Sequence, residues 1–484
     1  MLEEIIRERK KKLARLRDAG VDPYPARCVH PSEPIGDLLT DFAARQDARR
    51  SVCVAGRVRA ARDQGKIIFL DLEDFSGKIQ IILREEETER FLLWRETVDA
   101  GDLILACGIP LTTKRGEKSI AAATVAMLAK ALRPLPSDFY GLEDTETRLR
   151  QRYLDAILNK ETRTLFVQKA VFWNAFRQFL EEKKFMAVEM PILEATPGGA
   201  EAEPFVTHHN ALDEDFYLRI SLEIALKKAL VGGFERVYEI GRIFRNEGID
   251  AEHLQDYTQL EFYWAYADYR DLMGLVQKMY RFVIKETFGT LERPWKEQVI
   301  DWGKEWAMID YCSIFAQKNN NLHPVRATED DLKKRAQELG IEIPFGAARG
   351  RVIDLIFKKT VRPTLIQPCF LVDPPATIEP LAKRKEGNLD VVERFQVVAC
   401  GTELGKGFSE ANDPDDQRER FEEQMKLRAT GDKEAQMLDE DFLEALEYGM
   451  PPTAGFGLSE RLFAVLAGKP VRETVFFPSM KRRK

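Results

Sequence analysis

The sequence predicts an α+β protein of several domains: a small β-barrel near the N-terminus, then a larger antiparallel-sheet domain flanked by helices. Three observations carry this expectation. Short β-type runs fill residues 51–133, split by Gly, Asp and charged turns. Strict apolar/polar alternation returns at Thr258–Tyr266. Elsewhere apolar residues recur at helical spacing, as in 162–183. A chain of 484 residues is long enough for two or three domains with substantial cores.

Composition narrows the class. Hydrophobic content of 44% and charged content of 32% point to a soluble globular protein. The sequence has no apolar run of about 18 residues, so no membrane span is expected. The opening MLEEIIRERKKKLARLR lacks the apolar segment of a signal peptide. Cys28, Cys53, Cys107, Cys312, Cys369 and Cys400 are scattered, with no CxxC. That predicts reduced cytosolic thiols, and neither a disulfide framework nor a zinc site. Five histidines include no HExxH, which argues against a His-based metal site. The net charge of −7 does not favour nucleic acid. Basic residues nevertheless cluster, at Arg7, Arg9, Lys10, Lys11, Lys12, Arg15 and Arg17, and in the closing Lys481–Lys484.

Residues 1–50 are expected to hold a basic helix (2–19) and a connector, the helix stopped by Gly20, Pro23 and Pro25. It reads either as an arm along a nucleic-acid backbone or as a solvated amphipathic helix. About five strands in 51–133 suit a barrel of the OB type, which binds single-stranded nucleic acid on its face. Phe69, Gln80 and Glu117 are candidate contacts, with core as the other reading of Phe69. Residues 134–161 open with Pro134 and Pro136 and form a charged, helix-prone hinge. The larger domain is read as 162–484. Its first helix carries Leu165, Phe172, Phe176 and Phe179 as an aromatic stripe, for a core or a subunit interface. Helices are expected at 270–287, 327–339 and 351–360, giving a mainly helical insertion around 270–350, and again at Asp413–Lys433. Gln396–Glu403 reads as a strand leading into a tight polar turn, Gly405–Glu410. Pro451–Arg461 reads as a Gly-containing approach to a helix, delivering Arg461 from the helix start.

The hairpin within Val231–Tyr269 is the candidate site. Arg236–Ile243 reads as one strand, Asn246–Asp256 as a polar turn and Thr258–Tyr266 as the return strand. Leu260, Phe262, Trp264 and Tyr266 share one face; Gln259, Glu261 and Tyr263 share the other. Glu261 and Tyr263 therefore stand side by side on a rigid sheet, with Arg245 and Glu247 at the strand end. A guanidinium suits phosphate or carboxylate, and carboxylates on a strand can fix an ammonium. A surface salt-bridge ladder is the bland alternative.

Taken together, FRNEGI (Phe244–Ile249) with its following histidine and aromatic-Thr-x-x-Glu strand resembles motif 2 of the class II aminoacyl-tRNA synthetases. The helix ending at Pro191 resembles motif 1, and Gly455–Arg461 resembles motif 3. DPYP, ALRPLP…RQRYLD, FVTHHNALDEDFYLRI, VGGFERVYEIGR, AYADY, LIQP, PLAK, ELGKGFSE and PPTAGFG extend the resemblance along nearly the whole chain. It is closest to the bacterial lysyl-tRNA synthetase family. The resemblance implies an OB anticodon-binding domain, a class II catalytic domain, a cytoplasmic homodimer and magnesium as cofactor. It implies ligation of L-lysine to tRNA(Lys) through lysyl-adenylate, releasing pyrophosphate and then AMP.

It also implies residue roles. Arg245 matches the arginine on the α-phosphate and the lysine carboxylate; Glu247, His253 and Tyr257 match ATP contacts, Tyr257 replacing a stacking Phe. Arg461 matches the motif 3 arginine near the γ-phosphate, and Glu403 a magnesium carboxylate. Gly199 and Glu223 match α-amino contacts. Glu261, Tyr263 and Glu410 match the group around the ε-ammonium, and Phe408 also lines the lysine pocket. Arg62, Phe69, Gln80 and Glu117 match anticodon-reading positions. The chain departs from the family pattern at Gln396 (usually a second magnesium Glu), Lys406 (usually Asn in the lysine pocket) and Glu379 (usually Ser). Motif 3 is one residue short, with Ser459 and Glu460 before Arg461, and HLQDYT replaces HNPEFT. Two other readings follow from these departures and from the family's breadth: a catalytically impaired, RNA-binding or regulatory relative, and a ligase acting on a translation factor. The latter form lacks the OB domain.

Overall fold

The computed structural model describes residues 2–136, 142, 144–248, 254–344, 346–429 and 435–481. The chain divides into two compact units, Met1–Glu143 and Asp144–Lys484.

The first unit is a closed five-stranded barrel, built from Val52–Asp63, Ile67–Glu73, Lys78–Arg84, Leu103–Thr112 and Lys118–Ala129. Alternation drives it: Ile68, Leu70 and Leu72 point inward and are buried, while Ile67, Phe69 and Asp71 alternate outward. Phe69 is thus on the outer face and not in the core. A short helix, Phe91–Thr97, lies between the third and fourth strands in sequence. The N-terminal helix, Leu2–Asp18, is not a free basic arm. Arg9 is buried and donates to the carbonyls of Ala131, Arg133 and Ala100 at 2.9, 3.1 and 2.9 Å. Lys12 pairs with Asp99 at 2.6 Å. Part of the basic cluster is spent inside the unit, where a buried guanidinium needs carbonyl partners.

One cysteine expectation is overturned. Cys53 and Cys107 face each other in register on adjacent antiparallel strands, 4.1 Å apart at Cα, and are joined by a disulfide. A separation of 54 residues hides in the sequence a neighbourhood that barrel closure creates. Cys28, Cys312, Cys369 and Cys400 are free thiols.

The second unit is organised by an eight-stranded sheet. Its spatial order is Ala307–Asp310, Cys369–Val372, Arg394–Ala399, Thr402–Ser409, Thr453–Ser459, Asp256–Ala265, Arg236–Phe244 and Met186–Ala187. The outermost pair at each end is parallel; all others are antiparallel. One face is covered by helices Lys160–Glu182 and Tyr269–Phe288. Phe172, Phe176 and Phe179 of the first helix, with Val276, Met279 and Tyr280 of the second, pack on Leu260, Phe262, Phe395 and Phe456 of the sheet. Each such buried side chain contributes roughly 1.5–3 kcal/mol. The aromatic stripe is therefore used in the chain's own core.

Three local expectations differ from the fold. The segment read as a turn, Gly405–Glu410, is instead the latter part of strand Thr402–Ser409 and the residue that follows it. The turn is at Cys400 and Gly401, both at positive φ (57° and 70°). Gly405 and Gly407 are glycine because a Cβ there would come within 2.5 Å of the Phe456 ring and 2.8 Å of the Gly455 carbonyl oxygen. Thr453–Ser459 is likewise a central strand, with the helix beginning at Arg461. Tyr266 lies beyond the strand that ends at Ala265, at φ 62°, and is 70% exposed, so it does not join the apolar face. In the region read as a mainly helical insertion, three consecutive short strands, Glu292–Trp295, Gln298–Asp301 and Ala307–Asp310, separate helix Tyr269–Phe288 from helices Tyr311–Lys318 and Glu329–Glu338.

Candidate active site

The opposite face of the sheet, partly packed by helices Glu223–Val231, Pro414–Ala429 and Glu440–Glu447, holds a cavity of about 420 Å³. Register explains its floor. Gln396, Lys406, Gly457, Glu261 and Glu239 lie opposite one another in one row across five strands. The next row is Arg394, Phe408, Gly455, Tyr263 and Val237. Residues directly opposite in an antiparallel pair point to the same face. The glycines of the central strand therefore open a trough, walled by Lys406 and Phe408 on one side and by Glu261 and Tyr263 on the other. Neighbouring strands are about 4.8 Å apart, so the trough is roughly 9–10 Å wide at Cα.

The acidic wall is tightly held. Glu261 Oε1 accepts from Ser221 Oγ at 2.7 Å, from the Leu222 amide at 3.1 Å and from Gln259 Nε2; Oε2 accepts from Tyr263 Oη at 2.9 Å. Helix Glu223–Val231 places Glu223 and Lys227 one turn apart. The Lys227 ammonium donates to Glu223 at 2.5 Å and also pairs with Glu410. Glu223, Glu261 and Glu410 are all at most 4% exposed. Neither Glu410 oxygen accepts a hydrogen bond of good geometry, which leaves a buried carboxylate with spare acceptor capacity. Two carboxyls share one ammonium. Burial raises Glu223 to about 7 and drives Glu410 well above the carboxylate range, while Lys227, against its own burial, stays protonated between them. Burial also pushes the Tyr263 phenol far up, so it remains a donor. Gly199, at φ 82°, packs on this group; a Cβ would come within 2.8 Å of Glu223 and 2.9 Å of Ser221.

The cationic end is built at strand termini. Arg245 follows the Arg236–Phe244 strand, and its amide donates to the Gln255 carbonyl at 2.8 Å, closing the hairpin. Its guanidinium donates to the Ile220 carbonyl at 3.3 Å and lies 5.8 Å from the Tyr257 ring centre. Arg461 opens the helix after the central strand. Glu460, which with Ser459 precedes Arg461 in the shortened motif 3, is buried, paired with Lys169 and bonded through its amide to the Thr258 carbonyl at 3.1 Å.

Gly199, Glu223, Arg245, Glu247, Tyr257, Glu261, Tyr263, Gln396, Glu403, Lys406, Phe408 and Arg461 all line this one cavity. Glu410 is set behind the lining, against Lys227. His253 falls outside the described residues. Sequence reasoning missed Lys227, Ser221, Gln259 and Glu201. For Lys227 a signal existed: a lysine four residues after Glu223, one turn on along the same helix. It also read Gly455 and Gly457 as part of an approach to a helix, where they lie in a central strand.

Gln396 donates its amide to Glu403. Among the described residues no group of three or more His, Cys, Asp or Glu side chains could hold a metal unaided. Mg²⁺ commonly binds through one or two carboxylates and completes its shell with water and phosphate oxygens. Glu403 with the Gln396 amide oxygen fits an ion held largely by a nucleotide.

In the barrel unit, Arg62 is opposite Phe69 and Gln80 is opposite Asp71, so all four share the outer face. Arg62 pairs with Asp71 at 2.9 Å. Ser119 Oγ donates to Gln80 at 3.1 Å, and exposed Glu117 precedes that strand.

A family model described as tRNA synthetases class II (D, K and N) matches residues 144–481, and one described as OB-fold nucleic acid binding domain matches 52–128. The fold is that of a class II aminoacyl-tRNA synthetase with an N-terminal OB domain. Among curated proteins, the lysine–tRNA ligase of Moorella thermoacetica is 42% identical over 99% of this chain and 98% of its own length. That of Roseiflexus castenholzii is 42% identical over 100% and 99%, and that of Bacillus subtilis 39% over 100% and 98%. The chain belongs to the lysine–tRNA ligase family.

Proposed function

We infer that this chain joins L-lysine to tRNA(Lys) in two steps, forming lysyl-adenylate and pyrophosphate from ATP and then releasing AMP. The observation that carries the substrate is the buried acidic cluster of Glu223, Glu261 and Glu410 with Tyr263, beside a cavity that also presents Arg245 and Arg461. A dication enters an over-acidic pocket at one end; phosphates meet guanidinium groups at the other.

Gly199 and Glu223 take the α-ammonium. Glu261, Tyr263 and Glu410 take the ε-ammonium, with Phe408 against the aliphatic stem. Arg245 holds the lysine carboxylate against the α-phosphate. Tyr257 stacks on adenine, Glu247 and His253 contact the nucleotide, and Arg461 faces the γ-phosphate. The work is positioning and charge stabilisation, so no side-chain nucleophile is required. Glu403 and Gln396 would hold magnesium, which when bound neutralises phosphate charge. Arg62, Phe69, Gln80 and Glu117 read the anticodon by stacking and polar contacts. The reading includes a homodimer acting in the cytoplasm, where tRNA and ATP are; no helix among the described residues is long and apolar enough to cross a membrane. Light scattering on the purified chain should give twice the monomer mass.

The test is amino-acid-dependent ATP–pyrophosphate exchange with all twenty amino acids, with magnesium varied. Exchange with lysine alone is expected. No exchange from folded protein at any magnesium level would refute the reading.

A further inference from the structure

The far wall of the cavity is a helix that the chemistry above does not use. Helix Arg349–Thr360 lies over the outer strands Cys369–Val372 and Arg394–Ala399. Its buried side, Val352, Ile353, Ile356 and Phe357, packs on Cys369, Leu371 and Val398. Leu371 stands opposite Gln396, so the helix sits on the site face of the sheet. Its other side faces the cavity. Arg351, Asp354 and Lys358 line it at helical spacing, and Arg362 continues the row just past the helix end. Both ends are docked. Gly350 approaches Thr377 so closely that a Cβ would come within 2.2 Å of its carbonyl oxygen. Beyond Arg362, the Leu365 and Ile366 carbonyls accept the Gly401 and Cys400 amides, each at 2.9 Å. Asp354 pairs with Lys358 at 2.6 Å, and Arg362 forms no ion pair with a described residue. Arg351, Lys358 and Arg362 against one carboxylate give this helix face a net positive charge.

We propose that this face, through Arg351, Lys358 and Arg362, binds the sugar-phosphate backbone of the 3′-terminal strand of tRNA. This rests on the tRNA-ligating reading above. In that reading the second step brings the terminal hydroxyl into a cavity whose opposite side holds the adenylate, so the strand enters along the remaining wall. Arg351 and Lys358 are two helical turns apart, roughly 10 Å, and Arg362 extends the row. A triphosphate is compact and already meets Arg245 and Arg461. A row of separate cations suits consecutive phosphodiesters instead, each contact releasing a condensed counterion. Such contacts carry no base information; they set where the strand lies. The pair with Asp354, one turn away on the same helix, limits the rotamers of Lys358. The docked helix ends keep the row in place as the strand arrives.

The experiment is equilibrium binding of the full-length chain to a labelled tRNA(Lys) transcript, and to the same transcript lacking its single-stranded 3′ end, over a range of salt concentrations. Wild type should bind the whole transcript more tightly than the truncated one. The double variant Lys358→Gln, Arg362→Gln should bind the whole transcript about tenfold more weakly at low salt. Its log–log salt slope should be shallower by about 1–2, the worth of two phosphate contacts. It should bind the truncated transcript as wild type does. Lys359→Gln removes the same charge from an exposed neighbour outside the cavity lining and should change neither affinity. Equal losses on both transcripts would place the cations against another part of tRNA. A Lys359→Gln loss as large as that of Lys358→Gln alone would reduce the effect to general attraction. Either result overturns the proposal, and so does no loss at all. A rise in KM for ATP in pyrophosphate exchange as large as the loss of tRNA affinity would assign the face to the nucleotide and overturn it too. If the double variant does not fold, Lys358→Gln alone carries the comparison. A wild type that binds neither transcript would sink the tRNA reading itself, an outcome distinct from a lost 3′-end preference.

Discussion

Lys227 and Glu410 form an ion pair in which neither side chain is exposed to solvent. Glu223 meets the same ammonium from one helical turn away. A buried pair adds little net stability over an apolar substitute, but breaking it leaves an uncompensated charge. Lys227→Met should therefore destabilise the chain by about 3–5 kcal/mol in chemical denaturation. Adding Glu410→Gln should recover part of that loss, because the orphaned carboxyl is gone. Lysine binding should fall in both. A single-mutant loss below about 1 kcal/mol would show that the pair is solvated in solution.

Gly455 and Gly457 should respond differently to alanine. A Cβ on Gly455 would overlap Glu410 Oε1 and the Tyr263 ring. Glu410 and Tyr263 are buried and cannot move away cheaply. Gly455→Ala should lower the melting temperature and abolish lysine-dependent exchange. A Cβ on Gly457 meets nothing closer than Glu261 Cγ, at 3.3 Å. Gly457→Ala should fold nearly as wild type yet raise KM for lysine, since the methyl group fills the trough floor. Identical melting losses in the two variants would contradict the trough geometry.

The strand carrying Glu261 and Tyr263 was legible because period-two alternation needs no tertiary information; Leu260 and Phe262 pack inward as the pattern requires. The barrel was legible for the same reason. The glycine-bearing strands were not. Gly405 and Gly407 read as a turn, and Gly455 and Gly457 as an approach to a helix, because what crowds these positions is a neighbouring strand or ring far away in sequence. The Cys53–Cys107 disulfide and the Lys406–Glu379 pair are long-range in the same way, 54 and 27 residues apart. Lys227 was missed because a lysine in a short helix is ordinarily solvent-facing, and only the converging acids make burial tolerable.

Glu261→Gln should separate charge from shape. The substitution keeps the size, but an amide presents one acceptor where the carboxylate presents two. The oxygen that receives Ser221 Oγ and the Leu222 amide can still be an amide oxygen, whereas the Tyr263 hydroxyl must then turn from donor to acceptor. The fold should survive with a small change in melting temperature. Lysine affinity should drop by about 10- to 100-fold, the worth of a charge-assisted hydrogen bond in a buried site. Affinity for an uncharged isostere such as norleucine should change far less. Parallel losses for both ligands would mean that Glu261 acts through packing.

Proton linkage gives a further test. Burial raises the Glu223 carboxyl from 4.5 to about 7, with the Glu261 charge adding to it and Lys227 opposing. In the unfolded chain this group is ionised above its ordinary value. Between the two values the ligand-free fold holds a proton that the unfolded chain has lost. Its contribution to stability is therefore full below about 4.5 and is lost as pH rises through about 7. A substrate ammonium requires the ionised carboxylate, so lysine should expel that proton. Titrations in buffers of different ionisation enthalpy should give proton release below the raised value that shrinks as pH rises past it. The thermal stabilisation by saturating lysine should grow over the same interval. Glu201 is the control, since burial first and the Glu379 charge next raise it to about 7 as well, with Lys406 opposing. Glu223→Gln should reduce the release, leaving the share of Glu410, whose carboxyl burial also raises, and Glu201→Gln should leave it intact; the reverse result would assign the proton to Glu201 and remove Glu223 from the pH dependence.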